Sequence, residues 1–569
     1  MALPPRLTAL LNRPPWLDLL AAGHAARRRI TAEWNGAPPH LLALAWPRPA
    51  GFAAAPRDFR PAHPETGRAL IRGGFAFGDE ALNVGIGGDP WDRSSPSRRF
   101  AVDLHQAGWL RHLTAAGEPG AREALRLILQ WGRVFGHWNA FSWAGEVLER
   151  RVFNIACSLG ALLEIADDTE AYDLAELLAR QARHLAGLHE PAHRQAERGA
   201  VAALAGAALA GRTGEGLLRR GLAQLDKALP LTVLADGGHA SRSPEAAMEL
   251  LLDLLSLDDA LVQRGLERSA EHSRAIDRLT AALRFFTLAD GRLACFQGGE
   301  EGDAARVRAA RAHDDAEDAA PVLRLPHTGY HKLCGGGLEV VVDTGAPAAG
   351  GFSLAACAQP LALEILCGRD RLITNTGWSA RSPSAQAQRL ADAGSTVSLA
   401  KQSPGHPLAG FAGRELGPRL LGGAREIKVR REEAAAGQWL EASHDGYLAS
   451  LGLIHERRLF LDPKASELRG EDRFNPAPDA RAQLIPYAVR FHLDPDATAV
   501  VARDHRSVLL RGPSEKGWWL RNDALDVRVE PSIHYRSGRQ RPSHVVVLSG
   551  HLHADKGGRV RWKLTAAEG

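Results

Sequence analysis

The sequence has few cysteines and no long apolar run. Its five cysteines form no CxxC pair, which argues against a disulfide framework or a zinc knuckle and favours reduced thiols. No apolar stretch approaches the ~20 residues that a membrane-spanning helix requires. The first residues lack a basic start, an apolar core and a small-residue cleavage site, so we expect no secretory signal and a cytoplasmic location.

The sequence also lacks a strong charge of either sign. A net charge of +4 over 569 residues argues against a dedicated nucleic-acid binder. We find no P-loop, dinucleotide-binding fingerprint or nucleophile elbow, and residues 335–337 (Gly-Gly-Gly) lead into a predicted strand rather than a helix. These absences exclude the commonest phosphate-binding and serine-hydrolase motifs.

The first half of the chain has the hydrophobic period of amphipathic helices. Residues 1–70 are predicted to be an N-terminal extension, with a strand near 40–46, and residues 71–298 a helical domain. Short turns separate eight segments with apolar residues three and four apart, which indicates helical hairpins packed side by side. These segments are 100–113, 121–135, 146–166, 170–188, 195–210, 214–229, 245–261 and 271–288.

The period changes after an acidic, polar stretch at 299–320, which we interpret as a linker. Residues 321–569 contain short apolar or alternating runs broken by Gly, Pro and Asp, a pattern typical of an antiparallel β-sandwich. Examples are 338–343, 361–366, 426–430, 487–492, 507–510, 524–529 and 544–548. The chain is therefore predicted to be a two-domain α+β protein.

The segment 235–254 carries the most informative polar turn. Ser243 can cap a helix, Pro244 suits its first position, and an Asp-Gly-Gly turn precedes them. The helix behind this cap is amphipathic, so the turn is held by a buried face and can line a cleft. An ordinary capped surface loop is the alternative. The polar side chains of the turn are His239, Ser241 and Arg242.

Several pieces of sequence, taken in order, resemble the heparinase II/III-like polysaccharide lyases over roughly residues 70–565. They are 149–154 (Glu-Arg-Arg-Val-Phe-Asn), 236–255, 327–330 (His-Thr-Gly-Tyr), 444–447 (His-Asp-Gly-Tyr) with 455–458, and 529–532 (Val-Glu-Pro-Ser). The resemblance implies an incomplete α/α toroid joined to a β-sandwich, with the substrate cleft between them. It also makes the periplasm or cell envelope, which is usual for the family, the alternative to a cytoplasmic location.

The family's chemistry is β-elimination on polysaccharides that contain uronic acid. The reaction needs a donor on the uronate carboxylate, a base for the C5 proton and an acid for the leaving oxygen. By the resemblance, the family's Asn-His pair falls on Ala192 and His193, and its catalytic Tyr falls on Ala246. One base candidate is therefore kept, while the amide donor and the acid are lost.

The family's metal ligands are also replaced. Its His, Asp and His fall on Cys357, Asn375 and Gly394, which do not form a zinc-binding set. We therefore expect no metal at these positions and no cofactor.

The polar residues that remain near the predicted cleft provide a rearranged candidate catalytic set. We place His193 and His239 near the acidic C5 proton. Arg242 is the candidate donor to the uronate carboxylate, and Tyr447 is the candidate acid for the leaving oxygen. Ser241, Tyr330 and His444 are the candidate substrate-binding residues. For both tyrosines the alternative is a turn residue whose hydroxyl bonds to backbone, and the glycoside-hydrolase alternative lacks an evident carboxylate pair.

Two functions follow from this reading. The first is a lyase that cleaves an acidic polysaccharide or oligosaccharide with a diverged catalytic set. The second is a catalytically degraded relative that binds glycan or serves as a scaffold. The replacements at 192, 246, 357, 375 and 394 favour the second, and the framework around 236–244 and 444–458 favours the first.

Overall fold

The computed structural model describes residues 16–189, 191–315, 320–378 and 383–567. Within these ranges helices dominate up to residue 311 and strands dominate from residue 324, as the change of period predicts. The helices of the first half are α1 Trp16–Gly36, α2 Pro38–Ala45, α3 Pro64–Ile71, α4 Arg98–Gln106, α5 Leu110–Thr114, α6 Glu118–Phe135, α7 Gly145–Leu163, α8 Asp168–Ala186, α9 Gln195–Ala208, α10 Gly211–Thr232, α11 Pro244–Gln263, α12 Ala270–Phe286 and α13 Ala304–Arg311.

Successive helices pack as hairpins and form an incomplete α/α toroid. Small residues set the closest contact, between α9 and α10, because a Cβ at Gly206 would lie 2.2 Å from the backbone nitrogen of Leu218. Asp167 begins α8 with a reciprocal capping box to Glu170. All eight predicted helical segments are confirmed, although 100–113 is divided into α4 and α5. Among the described residues, no helix is long and apolar enough to span a membrane.

Two local predictions are wrong. Residues 40–46 were expected to form a strand, but Pro38 occupies the first turn of helix α2, where its fixed φ favours helical backbone. Residues 299–320 were expected to form a linker, but they contain α13, and both Val307 and Ala310 on that helix are buried. Glu301 and Asp314 of this segment form ion pairs with arginines, and Asp303 caps α13. Residues 316–319 lie outside the described part.

The strands are β1 Gly74–Phe77, β2 Glu80–Asn83, β3 Arg324–Leu325, β4 Tyr330–Gly335, β5 Leu338–Asp343, β6 Leu363–Cys367, β7 Asp370–Thr374, β8 Val397–Leu399, β9 Gly405–Pro407, β10 Leu420–Gly422, β11 Ile427–Ala434, β12 Gly437–Tyr447, β13 Leu453–Asp462, β14 Glu467–Pro476, β15 Leu484–Leu493, β16 Thr498–Val501, β17 Ser507–Arg511, β18 Gly517–Asn522, β19 Asp526–Arg536, β20 Arg539–His553 and β21 Gly558–Ala566.

Two antiparallel sheets form the second half, confirming the predicted sandwich. One has eight strands in the order β11-β12-β13-β14-β21-β18-β17-β16; the other has β19-β20-β15-β7-β6-β5-β4-β3, with β8 added beside β15. Two short hairpins, β1 with β2 and β9 with β10, lie outside these sheets. Two short helices, α14 Gly410–Leu416 and α15 Leu448–Leu451, interrupt the strands.

The two halves share buried surface. One core lies between the two sheets and includes Leu459 of β13 and Phe491 of β15. The other fills the helical half, but it also takes in Tyr330, Val341 and Leu366 from the nine-stranded sheet. The nine-stranded sheet is therefore buried on both faces, against helices on one side and the second sheet on the other.

Candidate functional site

The polar turn before α11 joins the two halves, and its glycines are required there. The Asp236 carboxylate accepts hydrogen bonds from the backbone N–H groups of His327 and Thr328, each at 2.7 Å. A Cβ at Gly237 would lie 1.9 Å from the Arg278 carbonyl oxygen, and one at Gly238 would lie 1.8 Å from the Thr328 hydroxyl. The turn therefore packs against the segment that leads into β4. The predicted cleft was expected between these two parts of the chain.

Arg242 is buried and bonded in this interface. Its Nε donates to the Thr328 carbonyl oxygen at 2.7 Å, and its Nη2 forms an ion pair with Asp343 at the end of β5. Burial of the guanidinium opposes its charge, but the Asp343 carboxylate outweighs this effect and raises the pKa of Arg242. The side chain is 5% exposed, so the carboxylate it neutralises is a protein carboxylate.

Tyr330 belongs to the same contact. Its hydroxyl donates to the Arg242 carbonyl oxygen at 2.8 Å, and its ring lies 5.0 Å from the guanidinium carbon. The side chain is fully buried, and burial followed by the Asp343 charge raises its pKa well above the ordinary value. Tyr330 thus fixes the backbone of Arg242, whose φ of 65° is unusual for a residue with a side chain.

Next to the turn lies a charged cluster that consists of Glu149, Arg194, Glu197, Arg198 and His239, all of them buried except Arg194. Arg194 bridges the two carboxylates, with its Nη1 2.7 Å from Glu197 Oε1 and its Nη2 bonded to Glu149. Burial opposes the ionisation of Glu197, but Arg194 outweighs it and lowers the pKa to about 2, whereas burial raises the pKa of Glu149. The two carboxyl groups therefore differ in acidity although they share one arginine.

His239 takes part in this cluster through a fixed tautomer. Its Nδ1 accepts the backbone N–H of Ser241 at 3.1 Å and lies 2.7 Å from the Ser241 hydroxyl. The ring proton of the neutral form is then on Nε2, which lies 3.7 Å from Glu197 Oε1. Both His239 and Ser241 are buried, and the ring nitrogen that could act as a base already accepts a hydrogen bond.

His193 is the one predicted base whose ring stays partly exposed. Burial, followed by the charge of Arg194, lowers its pKa to about 4, so the imidazole is neutral at pH 7. The ring of Phe352, from a 3₁₀ turn at Gly350–Leu354 in the second half, lies 5.9 Å from the ring of His193 and 5.8 Å from that of His239. A side chain at Gly351 would contact His193, with Cβ 2.9 Å from Nδ1. The 3₁₀ turn thus packs against both histidines.

Tyr447 and His444 lie elsewhere. Tyr447 packs in the core between the sheets, is 1% exposed, and donates its hydroxyl to the Val397 carbonyl oxygen at 2.8 Å. His444 accepts the Gly446 N–H on Nδ1 and contacts His455 through Nε2 at 3.0 Å; the second ring nitrogen of His455 lies 2.8 Å from Asp472. The structure therefore brings together His193, His239, Ser241, Arg242 and Tyr330, but not Tyr447 and His444.

The positions matched to the family's metal ligands do not fit a metal. The Asn375 amide donates to the Cys295 carbonyl oxygen at 3.0 Å and accepts the Ser395 N–H at 2.9 Å. Burial raises the pKa of the Cys357 thiol to about 11, and a Cβ at Gly394 would lie 2.9 Å from the Gln359 side chain. A hydrogen-bonded neutral amide and a glycine cannot replace a carboxylate and an imidazole, so these three positions do not form a zinc-binding set.

Glu149, Glu197 and Phe352 also belong to the site, but the sequence does not mark them as site residues. Arg194 and Glu197 are three residues apart, a spacing typical of an ion pair within one helix. This spacing does not indicate that Arg194 also bonds to Glu149, which lies 45 residues earlier. Phe352 lies in a glycine-rich stretch with no hydrophobic period. Only the three-dimensional packing of the two halves reveals these contacts.

A family model and a set of solved structures match this chain. The model for the heparinase II/III-like C-terminal domain covers residues 317–563. The structure is similar to that of heparinase III, with a TM-score of 0.71 at 14% identity over 89% of this chain and 85% of that one. A heparan sulfate lyase HepC mutant from Pedobacter heparinus gives a TM-score of 0.58 at 14% identity, covering 93% and 87% of the two chains. At these identities the solved structures support the fold alone.

A relative covers nearly the whole chain. FtsZ-localized protein C of Caulobacter vibrioides is 51% identical over 555 residues, which is 96% of this chain and 95% of that protein. The two share one fold throughout, because identity of this extent leaves neither half unmatched. With the C-terminal family model and the toroid-plus-sandwich architecture, this places the chain in the heparinase II/III-like family.

Proposed function

We propose that this chain is a non-catalytic member of the family that acts as a scaffold, in association with FtsZ. The observation that carries the proposal is the state of the cleft: the Phe352 turn packs against both histidines, and Arg242 is paired with a carboxylate of the protein itself. A lyase site needs these groups free to meet a uronate. The name of the Caulobacter relative supplies the partner.

The loss of an acid supports the same reading. Ala246, at the position of the family's tyrosine, follows the Ser243 cap in the first turn of α11 and has no ionisable group. Tyr447, the substitute candidate, donates its hydroxyl to backbone in the other core. A missing general acid typically costs a factor of about 10²–10⁴ in rate. A cytoplasmic location is part of this proposal.

A lyase with a rearranged set is the second candidate, and one observation favours it. His193 is neutral, keeps a partly exposed ring and lies beside the charged cluster, as a base for C5 would. In this version His193 takes the proton, the charged cluster holds the sugar, and the Phe352 turn has to move aside. The substrate is an acidic polysaccharide or oligosaccharide.

One experiment separates the two functions. Full-length protein is mixed with FtsZ from the same organism, with and without GTP, and both filament pelleting and the ultraviolet absorbance of unsaturated uronate are recorded. We expect co-pelleting with FtsZ only when filaments form, and no absorbance increase on heparan, alginate or hyaluronan. Turnover that is lost in His193→Ala would favour the lyase, and the absence of both FtsZ binding and turnover would overturn the scaffold proposal. Glycan binding without turnover or FtsZ binding would indicate the glycan-binding alternative.

A further inference from the structure

Three potential metal ligands from the two halves converge beneath the interface. Cys295 and Glu301 lie on the segment between α12 and α13, and His534 lies on β19. One ligand atom from each of the three lies within 4.8 Å of the others, and all three side chains are at most 1% exposed. They are different residues from those matched to the family's metal ligands, although Asn375 contacts both Cys295 and His534.

The orientation of His534 is that of a metal-binding histidine. Its Nδ1 lies 2.9 Å from the Asn375 carbonyl oxygen, which can only accept, so Nδ1 carries the proton. The Nε2 of the neutral ring is therefore a lone pair, and it faces Glu301 Oε1 at 3.7 Å without a hydrogen-bond partner among the described residues. A ring held by a backbone carbonyl on one nitrogen, with the other nitrogen unpaired, is the usual arrangement around a bound metal.

Glu301 leaves one oxygen available in the same place. Its Oε1 pairs with Arg536 and with Arg292, the latter at 3.2 Å. Its Oε2 lies 3.8 Å from Nε of Arg371 and has no hydrogen bond among the described residues. Glu301 Oε2 and His534 Nε2 are thus two buried polar atoms without a hydrogen bond, which is costly unless a proton or a cation binds them. An ion bound to Oε2 and Nε2 would satisfy both.

Cys295 adds a sulfur donor. Burial raises the pKa of its thiol well above the ordinary value, and Nη1 of Arg371 lies 3.9 Å from Sγ. A metal ion would deprotonate the thiol, and the nearby guanidinium would then stabilise the thiolate as an outer partner. Sulfur, imidazole nitrogen and carboxylate oxygen together are a donor set typical of zinc.

We propose that Cys295, Glu301 and His534 bind one Zn²⁺ ion that links the helical half to the nine-stranded sheet. Zinc bonds of roughly 2.0–2.3 Å would draw the three side chains inward, and a water would complete four-coordination. The role is structural, because all three side chains are buried. The proposal does not depend on whether the protein is a scaffold or a lyase.

Elemental analysis of full-length protein purified without chelator is the first test. We expect about one zinc per chain in the natural protein, and less than about a tenth of that in Cys295→Ser and His534→Gln, since each removes one of only three protein ligands. Cys334→Ser is the matched control, because Cys334 lies on β4 outside the trio and should leave the zinc content unchanged.

Cobalt substitution decides the matter if a variant does not fold. Natural protein stripped of metal and loaded with Co²⁺ should develop the charge-transfer band of a cobalt–thiolate bond, and metal loading should raise its melting temperature. Absence of both zinc and the cobalt band in the natural protein would overturn the proposal and leave His534 in direct contact with Glu301 alone. Zinc retained in both ligand variants would also overturn it.

Discussion

At the scale of single residues, the sequence identified the right chemical groups more often than the right roles. Arg242 was expected to neutralise a uronate carboxylate, and it does neutralise a carboxylate, that of Asp343. Tyr447 was considered as either an acid or a turn residue, and the hydrogen bond to Val397 corresponds to the second alternative. A side chain's type is visible in a sequence, but its partner, here 101 residues away for Arg242, is not.

The ion pair between Arg242 and Asp343 should contribute strongly to stability. Arg242→Ala leaves a buried carboxylate unpaired, and we expect it to lower the free energy of unfolding by about 3–5 kcal/mol. Arg242→Lys should recover only part of this, because lysine cannot contact Thr328 and Asp343 with a planar fork. Urea unfolding measures the effect, with Arg219→Ala on an exposed face of α10 as the control. A loss below about 1 kcal/mol would contradict the role given to Arg242.

The buried pair of His444 and His455 should make stability depend on pH. Burial, followed by the charge of His455, lowers the pKa of His444 well below 6.5, and burial outweighs Asp472 in lowering the pKa of His455. Below about pH 6.5 the folded state then binds fewer protons than the unfolded state. Stability therefore decreases as the pH is lowered below about 6.5, and it levels off at higher pH. Each histidine contributes a slope of up to about 1.4 kcal/mol per pH unit.

Urea unfolding between pH 5 and 8 tests this prediction. The His444→Gln variant should show a shallower loss of stability below pH 6.5 than the natural protein, although it is less stable at pH 8. Other buried histidines titrate in both proteins, so the difference between the two curves isolates His444. Parallel curves would show that His444 is not held neutral by the fold.

At the scale of elements, local signals were reliable where the chain's own neighbours set the structure. Ser243 caps α11 and Pro244 begins it, as the sequence predicts, because capping depends on residues only three apart. The 3₁₀ turn of Phe352 was missed because nothing in its glycine-rich sequence shows which surface it covers. The segment 299–320 was misread because acidic residues look the same in a linker and in buried ion pairs.

The Phe352 turn should control access to the two histidines. In Phe352→Ala the rings of His193 and His239 lose their aromatic cover, and we expect modification of His239 by diethyl pyrocarbonate to rise several-fold. Mass spectrometry of peptides measures this, with Phe411→Ala, an exposed aromatic on α14, as the control. Equal rates of modification in the natural protein and in Phe352→Ala would mean that this turn does not limit access.

At the scale of the whole molecule, the sequence predicted the two halves and their order but not how the strands pair. Strand β15 joins β20, β7 and β8, which lie far apart in sequence, and alternation of apolar residues carries no information about such partners. The family resemblance supplied the toroid and the cleft. It did not supply the contacts between the two halves in this chain, such as those of Phe352 with the two histidines and of Arg242 with Asp343.

The interface formed by Asp236, Arg242, Tyr330 and Asp343 also bears on how such a chain can evolve. Each half supplies polar groups that bond to the other half, so a recombination event that moved the sandwich alone would inherit Asp343 without its guanidinium. A newly joined partner would have to replace several buried bonds at once. The two halves are therefore expected to be inherited and to diversify as one unit, with innovation confined to their outer surfaces.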